Sequence, residues 1–278
     1  MDDQKPGFLF RGIRKLIKLL GLRRAVVKLA LASPSLSMTR FLLPYAGIPL
    51  DMSISKRLVA LRDILVRFRL FDRPLKVLEI GTWCAMGSTK FFSENLPTGS
   101  TLFYMDTWKP WASQEDISSS KDKFIYKTFD ELSTIAFRIA HDNVRKYRER
   151  SRCGFVGIVG SSGDVGDALE PASFDIVYID GSHYYDHVLS DIQLAKKVVK
   201  PDGIILGDDY ELEFPIRPEL LEISRRSLKM DSVYHPDVPS GLFHPGVAMA
   251  LYESFSSLNE TDGLWWHRVV QDSDHRHT

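Results

Sequence analysis

Three aspartates follow two apolar runs that have the composition of buried strands. Asp180 comes directly after Ile176–Ile179, and Asp208 and Asp209 follow Ile204–Leu206 and one glycine. Neighbouring parallel strands end at the same edge of a sheet, so these carboxylates are expected to lie together. Like charges repel there unless a cation or protons compensate them, and Mg²⁺ prefers oxygen ligands. The sequence therefore predicts a site for Mg²⁺, or another divalent cation, at Asp180, Asp208 and Asp209. The alternative is that these aspartates cap helices or turns.

A histidine stands next to this predicted metal site. His183 lies three residues after Asp180, within the same strand-end loop. An imidazole with its ordinary pKa of about 6.5 can remove a proton near neutral pH, and a bound metal lowers the pKa of a hydroxyl. We interpret His183 and Asp180 as catalytic, with His183 as general base; alternatively His183 only braces the loop. His183 and His187 have the spacing of a zinc pair, but the glutamate of a zincin is missing after His183.

Polar segments after three other predicted strands favour a nucleoside-containing ligand. Gly81 follows a strand that ends in Glu79-Ile80, where a glycine lets the backbone approach a ligand. Asp106 ends the second strand, where α/β folds place a carboxylate for ribose hydroxyls, although it could instead cap a helix. The Ser161-Ser162 loop would border an adenine or act as a helix N-cap. The three-glycine spacing of a dinucleotide site is absent, which disfavours a nicotinamide-dependent dehydrogenase.

The elements that must position these residues alternate in type along the chain. Short apolar runs bounded by Gly, Pro and Asp are typical of buried parallel strands joined by crossover helices. We therefore predict an α/β fold with a doubly wound, mostly parallel sheet. Its strands are expected at Val77–Ile80, Leu102–Met105, Val156–Val159, Ile176–Ile179 and Ile204–Leu206. Ser232–Tyr234 and Val247–Glu253 are expected to add a terminal antiparallel pair.

Residues 1–55 form a predicted helical segment ahead of the catalytic domain. Apolar residues at helical spacing alternate with basic ones, and Gly21 is expected to end or bend this amphipathic helix; the apolar positions are Phe10, Ile13, Ile17 and Leu20. Such a helix favours peripheral contact with an anionic membrane surface. The alternative is a helix packed on the domain or on a partner in a homo-oligomer. A second helix, over 53–71, is expected to lead into the core.

Residues 56–278 are expected to form one catalytic domain, with its core at about 75–253 and an insertion at about 107–150. The insertion begins with Trp108, Pro110 and Trp111 and has a helical pattern near Phe129–Tyr147. It would serve as a lid or substrate wall, or be a decorated crossover helix.

Composition narrows the class of protein. The 36 basic and 36 acidic residues leave no net charge, which argues against a nucleic-acid partner. Cys84 and Cys153 make no disulfide framework, so a reducing compartment is expected. The basic residues within 8–31 interrupt the apolar stretch that a secretory signal requires, and no apolar run is long enough to span a membrane. We expect a cytoplasmic protein, in solution or peripheral at a membrane.

Together these segments resemble class I S-adenosylmethionine (SAM)-dependent methyltransferases, in particular metal-dependent O-methyltransferases of the macrolide-sugar and catechol type. The resemblance covers about residues 75 to 253 and depends on Asp106-Thr107-Trp108, Asp180-Gly181-Ser182-His183 and Gly207-Asp208-Asp209-Tyr210. It implies a seven-stranded Rossmann-like sheet, SAM and a divalent cation as cofactors, and O-methylation of a small molecule or sugar. Ala85-Met86-Gly87 departs from the family's glycine loop.

The resemblance also implies roles for individual residues. Glu79 and Gly81 would border the methionine part of SAM, and Asp106 would bind its ribose. The residues expected to bind the cofactor are Glu79, Gly81, Thr82, Ser88, Asp106, Ser161, Ser162 and Asp180. Two alternatives stay open: a metal-independent methyltransferase of the same fold, and a non-catalytic scaffold held at a membrane surface by the basic helix.

Overall fold

A computed structural model describes residues 8–119 and 123–270. The outer ends of the predicted segments 1–55 and 56–278 therefore lie outside the described residues. The strands are β1 Lys76–Ile80, β2 Thr101–Asp106, β3 Gly154–Val159, β4 Phe174–Ile179, β5 Val199–Gly207, β6 Val233–Tyr234, β7 Leu242–Phe243, β8 Asn259–Thr261 and β9 Leu264–Arg268. The helices are α1 Phe8–Leu19, α2 Arg23–Ala32, α3 Leu36–Tyr45, α4 Ser55–Arg67, α5 Ser88–Asn95, α6 Gln114–Ser119, α7 Lys123–Arg150, α8 Ser162–Val165, α9 Tyr185–Val198, α10 Pro218–Arg226 and α11 Pro245–Ser254.

The main sheet has seven strands in the order β3-β2-β1-β4-β5-β9-β8. Strands β1 to β5 are parallel, and β9 runs antiparallel to both β5 and β8. The chain reverses its direction of travel across the sheet between β1 and β4, where open α/β sheets form their ligand crevice. The predicted doubly wound, mostly parallel, seven-stranded Rossmann-like fold is confirmed.

Burial explains why the central strands are apolar throughout. All six residues of β4 are buried, because helices cover both faces of the sheet. Ile176 and Tyr178 join the cluster formed with α2 to α5 and α7, whereas Val177 and Ile179 join the cluster formed with α9 to α11. Alternate side chains of one strand thus point to opposite faces of the sheet and pack in two separate hydrophobic clusters.

The predicted terminal antiparallel pair is wrong. Val247–Glu253 lies within helix α11, which begins at Pro245, and Val233–Tyr234 pairs with Leu242–Phe243 in a small separate sheet. A short apolar run that is buried on all sides has no periodicity to distinguish helix from strand, but Pro is favoured in the first turn of a helix. The antiparallel strand of the main sheet is β9, which lies beyond the core predicted to end at residue 253.

The N-terminal helices are partly continuous with the core. Gly21 has a φ of +66° just after α1, which confirms that it ends this helix. Val27 and Leu43 are buried in the same cluster as the sheet. Arg40 of α3 donates hydrogen bonds to Asp142 and to Asn143 on α7. Residues 23–45 therefore pack directly on the α/β domain.

Helix α1 and the turn after it leave large apolar side chains exposed. Leu16 is 54% exposed and Leu19 is 73% exposed, and the nearby Leu20 is 60% exposed. Membrane contact and oligomer contact through this surface stay predictions. No helix among the described residues has both the length and the apolar character needed to cross a membrane.

The insertion consists mostly of the crossover between β2 and β3. The predicted helix at Phe129–Tyr147 is confirmed as part of the 28-residue helix α7, and the predicted helix at 53–71 is confirmed as α4. Helix α6 lies against the strand-end loops, because the backbone N–H of Ser113 donates to the hydroxyl of Tyr184 at 2.8 Å. Whether the insertion also closes over a substrate stays a prediction.

Two glycines allow neighbouring elements to approach the ends of β4 and β5. A Cβ on Gly207 would lie 2.7 Å from the ring of Trp265 on β9. A Cβ on Gly246 of α11 would lie 2.2 Å from the carbonyl oxygen of His183 and 2.5 Å from the amide of Tyr185. Strand β9 and helix α11 therefore determine where the two strand-end loops lie.

We expect Gly246→Ala to lower the free energy of unfolding by about 3 kcal/mol, because the added methyl group overlaps rigid backbone. Urea denaturation measures the change. Gly163→Ala is the matched control, since its Cβ would meet nothing closer than a serine hydroxyl at 3.8 Å. Equal urea midpoints for the two variants would show that α11 does not pack on this loop as described.

Candidate active site

The loop after β1 begins with an unusually close approach to the neighbouring strand end. Gly81 has a φ of +90°, and a Cβ there would lie 2.0 Å from the carbonyl oxygen of Asp180. Any side chain at this position would therefore separate the ends of β1 and β4. Gly81 thereby brings the predicted cofactor loop next to the predicted metal ligand Asp180.

The same loop is held in a strained conformation by other elements. Trp83 and Ala85 have φ values of +48° and +55°, in the left-handed region that side chains disfavour. Asn143 and Tyr147 of α7 donate to the carbonyl oxygens of Cys84 and Ala85, each at 2.8 Å. Ala85 thus adopts a glycine-like conformation in the segment Ala85-Met86-Gly87, where the sequence differs from the glycine loop of the family it resembles.

Asp106 accepts hydrogen bonds from the backbone of this loop. Its carboxylate is 3.1 Å from the amide of Thr82, 2.8 Å from that of Trp83 and 2.7 Å from that of Trp108. Burial raises the pKa of Asp106, while these amide hydrogen bonds oppose the increase. The amide of Thr107 also hydrogen-bonds this carboxylate, so Asp106 fixes the loop after β1 relative to the end of β2.

Glu79 and Ser88 bind each other below the surface of the loop. Glu79 is fully buried, and its two oxygens accept from Ser88 at 2.5 Å and from Thr89 at 2.7 Å. Burial raises the pKa of Glu79 to about 7, although both hydroxyls lower it. Glu79 therefore anchors the first turn of α5 and presents no surface of its own; its predicted contact with SAM stays a prediction.

The serine loop after β3 combines a helix cap with a buried hydrogen bond. Ser161 is the N-cap of α8 and forms a capping box with Asp164, which confirms the alternative interpretation of this residue. Ser162 is buried and donates to Asp191 of α9. Burial raises the pKa of Asp191 to about 7. The sequence did not identify Asp191, because only the packing of α9 places it here.

The three predicted metal ligands do come together. One oxygen each of Asp180, Asp208 and Asp209 lies within 4.8 Å of the others. Burial and the charges of Asp208 and Asp209 raise the pKa of Asp180 well above its ordinary value. Burial and Asp209 likewise raise the pKa of Asp208 to about 7. The cluster therefore carries negative charge that its surroundings compensate only in part.

Arg57, at the start of α4, supplies part of the compensation. Its guanidinium contacts Asp208, lies 2.7 Å from an oxygen of Asp209 and lies 3.0 Å from an oxygen of Glu211. The sequence did not identify Arg57, which is more than a hundred residues from its partners. Glu211 was not identified either, because the left-handed φ of +61° at Asp209 breaks the alternation of an extended segment.

His183 lies between two carboxylates. Its Nε2 is 2.8 Å from Asp209, and its Nδ1 is 2.8 Å from Asp231. Burial lowers the pKa of His183, but the two carboxylates outweigh that effect and raise it well above 6.5. The two carboxylates therefore favour the imidazolium form of His183, and a reduction of the negative charge beside it would favour the neutral form that accepts a proton.

His244 is a second histidine in this group. The sequence spacing had instead paired His183 with His187. The ring of His244 lies 4.3 Å from that of His183, and its Nδ1 is 3.1 Å from Glu211. His187 instead contacts the hydroxyl of Ser182 and is exposed. Neither His244 nor Asp231 had a signal in the sequence, since only the tertiary fold brings them to this edge.

Residues 78–210 match a family model described as a methyltransferase domain. The match covers a little less than half of the chain and includes the loops after β1, β2, β4 and β5. This part of the chain is therefore similar to a methyltransferase domain, and the candidate site lies at the carboxyl ends of the strands within it. No curated protein gives a significant match.

Several solved structures share parts of this architecture. The YcgJ protein from Bacillus subtilis is 17% identical, with a TM-score of 0.34 over 58% of this chain and 56% of its own. The O-methyltransferase TomG from Streptomyces achromogenes, in complex with SAM, is 18% identical. The TM-score is 0.43, and the alignment covers 87% of this chain and 90% of TomG. An O-methyltransferase from Bacillus cereus, in complex with S-adenosylhomocysteine, is 15% identical. The TM-score is 0.45, and the alignment covers 90% of this chain and 91% of that enzyme. The chain thus spans little more than half of YcgJ, and at these scores no conclusion about substrate follows.

We expect Arg57→Met to lower the free energy of unfolding by about 3 kcal/mol at about pH 8, because it leaves buried carboxylates without their counter-ion. The deficit should shrink at about pH 5, where Asp208 becomes protonated in both proteins. Urea denaturation in metal-free buffer measures both values. Arg57→Lys, which keeps the charge, is the control; a deficit that is the same at both pH values would contradict the charge argument.

Proposed function

We propose that this methyltransferase domain transfers a methyl group from SAM to a hydroxyl of a small molecule or sugar, assisted by a divalent cation. The observation that carries the proposal is the convergence of Asp180, Asp208 and Asp209 beside His183 and the Gly81 loop. A bound nucleoside, a cation and a base would then act within one crevice.

The SAM site is proposed at the point where the strand order reverses. The loop from Gly81 to Trp83 presents backbone there, and the carboxylate of Asp106 lies beside it. Ribose hydroxyls are donors that such a carboxylate can bind. Ser162 and Asp191 form the neighbouring polar wall, on the side where an adenine would lie.

The carboxylate cluster has the donor chemistry of a hard-cation site. Among the described residues Asp180 makes no ion pair, and burial, together with the charges of Asp208 and Asp209, raises its pKa. Asp180, Asp208 and Asp209 would hold the cation. When bound, SAM supplies the electrophilic methyl group, and the cation lowers the pKa of the acceptor hydroxyl.

The chain itself provides the base and its orientation. Asp231 holds Nδ1 of His183 at 2.8 Å, which directs Nε2 toward the carboxylate cluster. Compensation of the charge on Asp209 would lower the pKa of His183 and free Nε2 to accept the hydroxyl proton. Helix α11 packs against the backbone of His183, whose side chain is only 22% exposed, so water has limited access to it.

Arg57 favours a second candidate function, a metal-independent methyltransferase. Its guanidinium already compensates Asp208 and Asp209, so these aspartates could shape the pocket without a cation. Asp180 lies outside those contacts, which is why we place the metal-dependent reaction first.

The acceptor is proposed to be a small molecule or sugar with neighbouring hydroxyls, because a cation can engage both oxygens of a diol or catechol. Contact of α1 with an anionic membrane, or with a second copy of the chain, is a separate proposal that uses the exposed Leu16 and Leu19. Neither contact is needed for the chemistry.

We expect isothermal titration to detect micromolar SAM binding and Asp106→Ala to weaken it at least about tenfold, because a ribose acceptor and the support of the Gly81 loop are both lost. Asp167→Ala is the matched control, since that carboxylate is fully exposed. Absence of SAM binding to folded wild-type protein would contradict the proposed cofactor.

We expect methylation of catechol or glycoside acceptors to stop after exhaustive chelation and to return with added Mg²⁺. Asp180→Asn should reduce turnover by at least about a hundredfold if the cation stabilises the transition state by about 3 kcal/mol. An acceptor whose hydroxyls are already methylated is the substrate control. Full turnover of the wild-type enzyme after chelation would contradict the metal-dependent reaction and support the metal-independent one.

A further inference from the structure

Three side chains beside the carboxylate cluster form a second possible ligand set of different chemistry. One ring nitrogen each of His183 and His244 and one carboxylate oxygen of Asp209 lie within 4.8 Å of one another. They come from the loop after β4, the residue before α11 and the loop after β5. The close packing of Gly246 on His183 holds two of these elements together.

Both imidazoles are oriented by a carboxylate on the opposite side. Nδ1 of His183 lies 2.8 Å from Asp231, and Nδ1 of His244 lies 3.1 Å from Glu211. In each histidine, Nδ1 contacts a carboxylate outside the proposed ligand set, which leaves Nε2 as the nitrogen for a metal. Histidines that bind metals usually have their other ring nitrogen held by a carboxylate or carbonyl, which orients the ring.

We propose that His183, Asp209 and His244 bind a first-row transition-metal ion such as Zn²⁺ or Co²⁺. Imidazole nitrogens suit these ions, whereas Mg²⁺ prefers oxygen ligands alone. The two histidines distinguish this ligand set from Asp180, Asp208 and Asp209. Asp209 belongs to both sets, so the two ions compete for it.

This site has a consequence for the proposed reaction but does not depend on it. A transition metal on Nε2 of His183 removes the lone pair that would accept a proton. The ion would therefore inhibit methyl transfer, and its binding can be measured without SAM or an acceptor. Failure of the metal site and failure of the proposed function are thus separately observable.

The test is titration of the chelated, full-length protein with Co²⁺, followed by visible absorption. We expect one ion per chain and a spectrum that changes on binding. His244→Ala should weaken Co²⁺ binding by at least about tenfold, and Asp180→Asn should weaken it clearly less. His187→Ala is the matched control, because His187 is exposed and lies outside the cluster. Equal Co²⁺ affinity of wild type and His244→Ala would overturn the proposal, as would an equal loss in Asp180→Asn.

A second measurement needs no variant and stays decisive if His244→Ala does not fold. Pulsed electron paramagnetic resonance of wild-type protein with one equivalent of Cu²⁺ counts coordinated imidazole nitrogens. Two coupled imidazoles are expected; a spectrum without two imidazole couplings would overturn the assignment.

Discussion

Negative charge gathered at the ends of β4 and β5 is the constraint around which the site is organised. Asp180, Asp208 and Asp209 arrive there because parallel strands end together, and Glu211 adds to the same charge. Repulsion on this scale requires cations from elsewhere in the chain. Arg57 and His183 supply them, and each belongs to a different element. Charge balance therefore connects α4 and the loop after β4 to one edge of the sheet, and a hydrogen bond from His244 to Glu211 adds the start of α11.

A second constraint acts on the loop after β1. Its left-handed residues each cost on the order of 1–3 kcal/mol, so other contacts must hold them. Asn143 and Tyr147 hold the loop from α7, and Arg40 holds α7 through Asp142 and Asn143. The insertion and the N-terminal helices thus do more than cover the core. They maintain the loop conformation in which Gly81 packs against the backbone of Asp180, next to the carboxylate cluster.

The parts of this arrangement that were predictable from sequence depend on local pattern. Continuous apolar runs revealed the parallel strands, and the topology of such sheets placed Asp180 with Asp208 and Asp209. The run at 247–253 was misassigned because a helix buried on every side has lost its periodicity. Arg57, Asp231 and His244 were missed for another reason. Their contacts join residues far apart in the chain, and no spacing within the sequence records them.

The same limit applies to the protonation of His183. Its residue type indicated a base with an ordinary pKa, but its two carboxylate neighbours make it a cation. Proton affinity is a property of the surroundings rather than of the residue. Where those surroundings are assembled from distant segments, sequence identifies the candidate atom and the fold determines its state.

The contact between Gly207 and Trp265 has a consequence for the order of events during synthesis. Asp208 and Asp209 follow Gly207 directly, yet the strand that packs on Gly207 is not translated until Arg268. Domains fold as units while the chain emerges from the ribosome, at about 5–20 residues per second. On the nascent chain, β5 is therefore an open edge with two adjacent acidic residues at its end. Those charges, which disfavour pairing with another strand, protect the unfinished sheet from aggregation until β9 covers it.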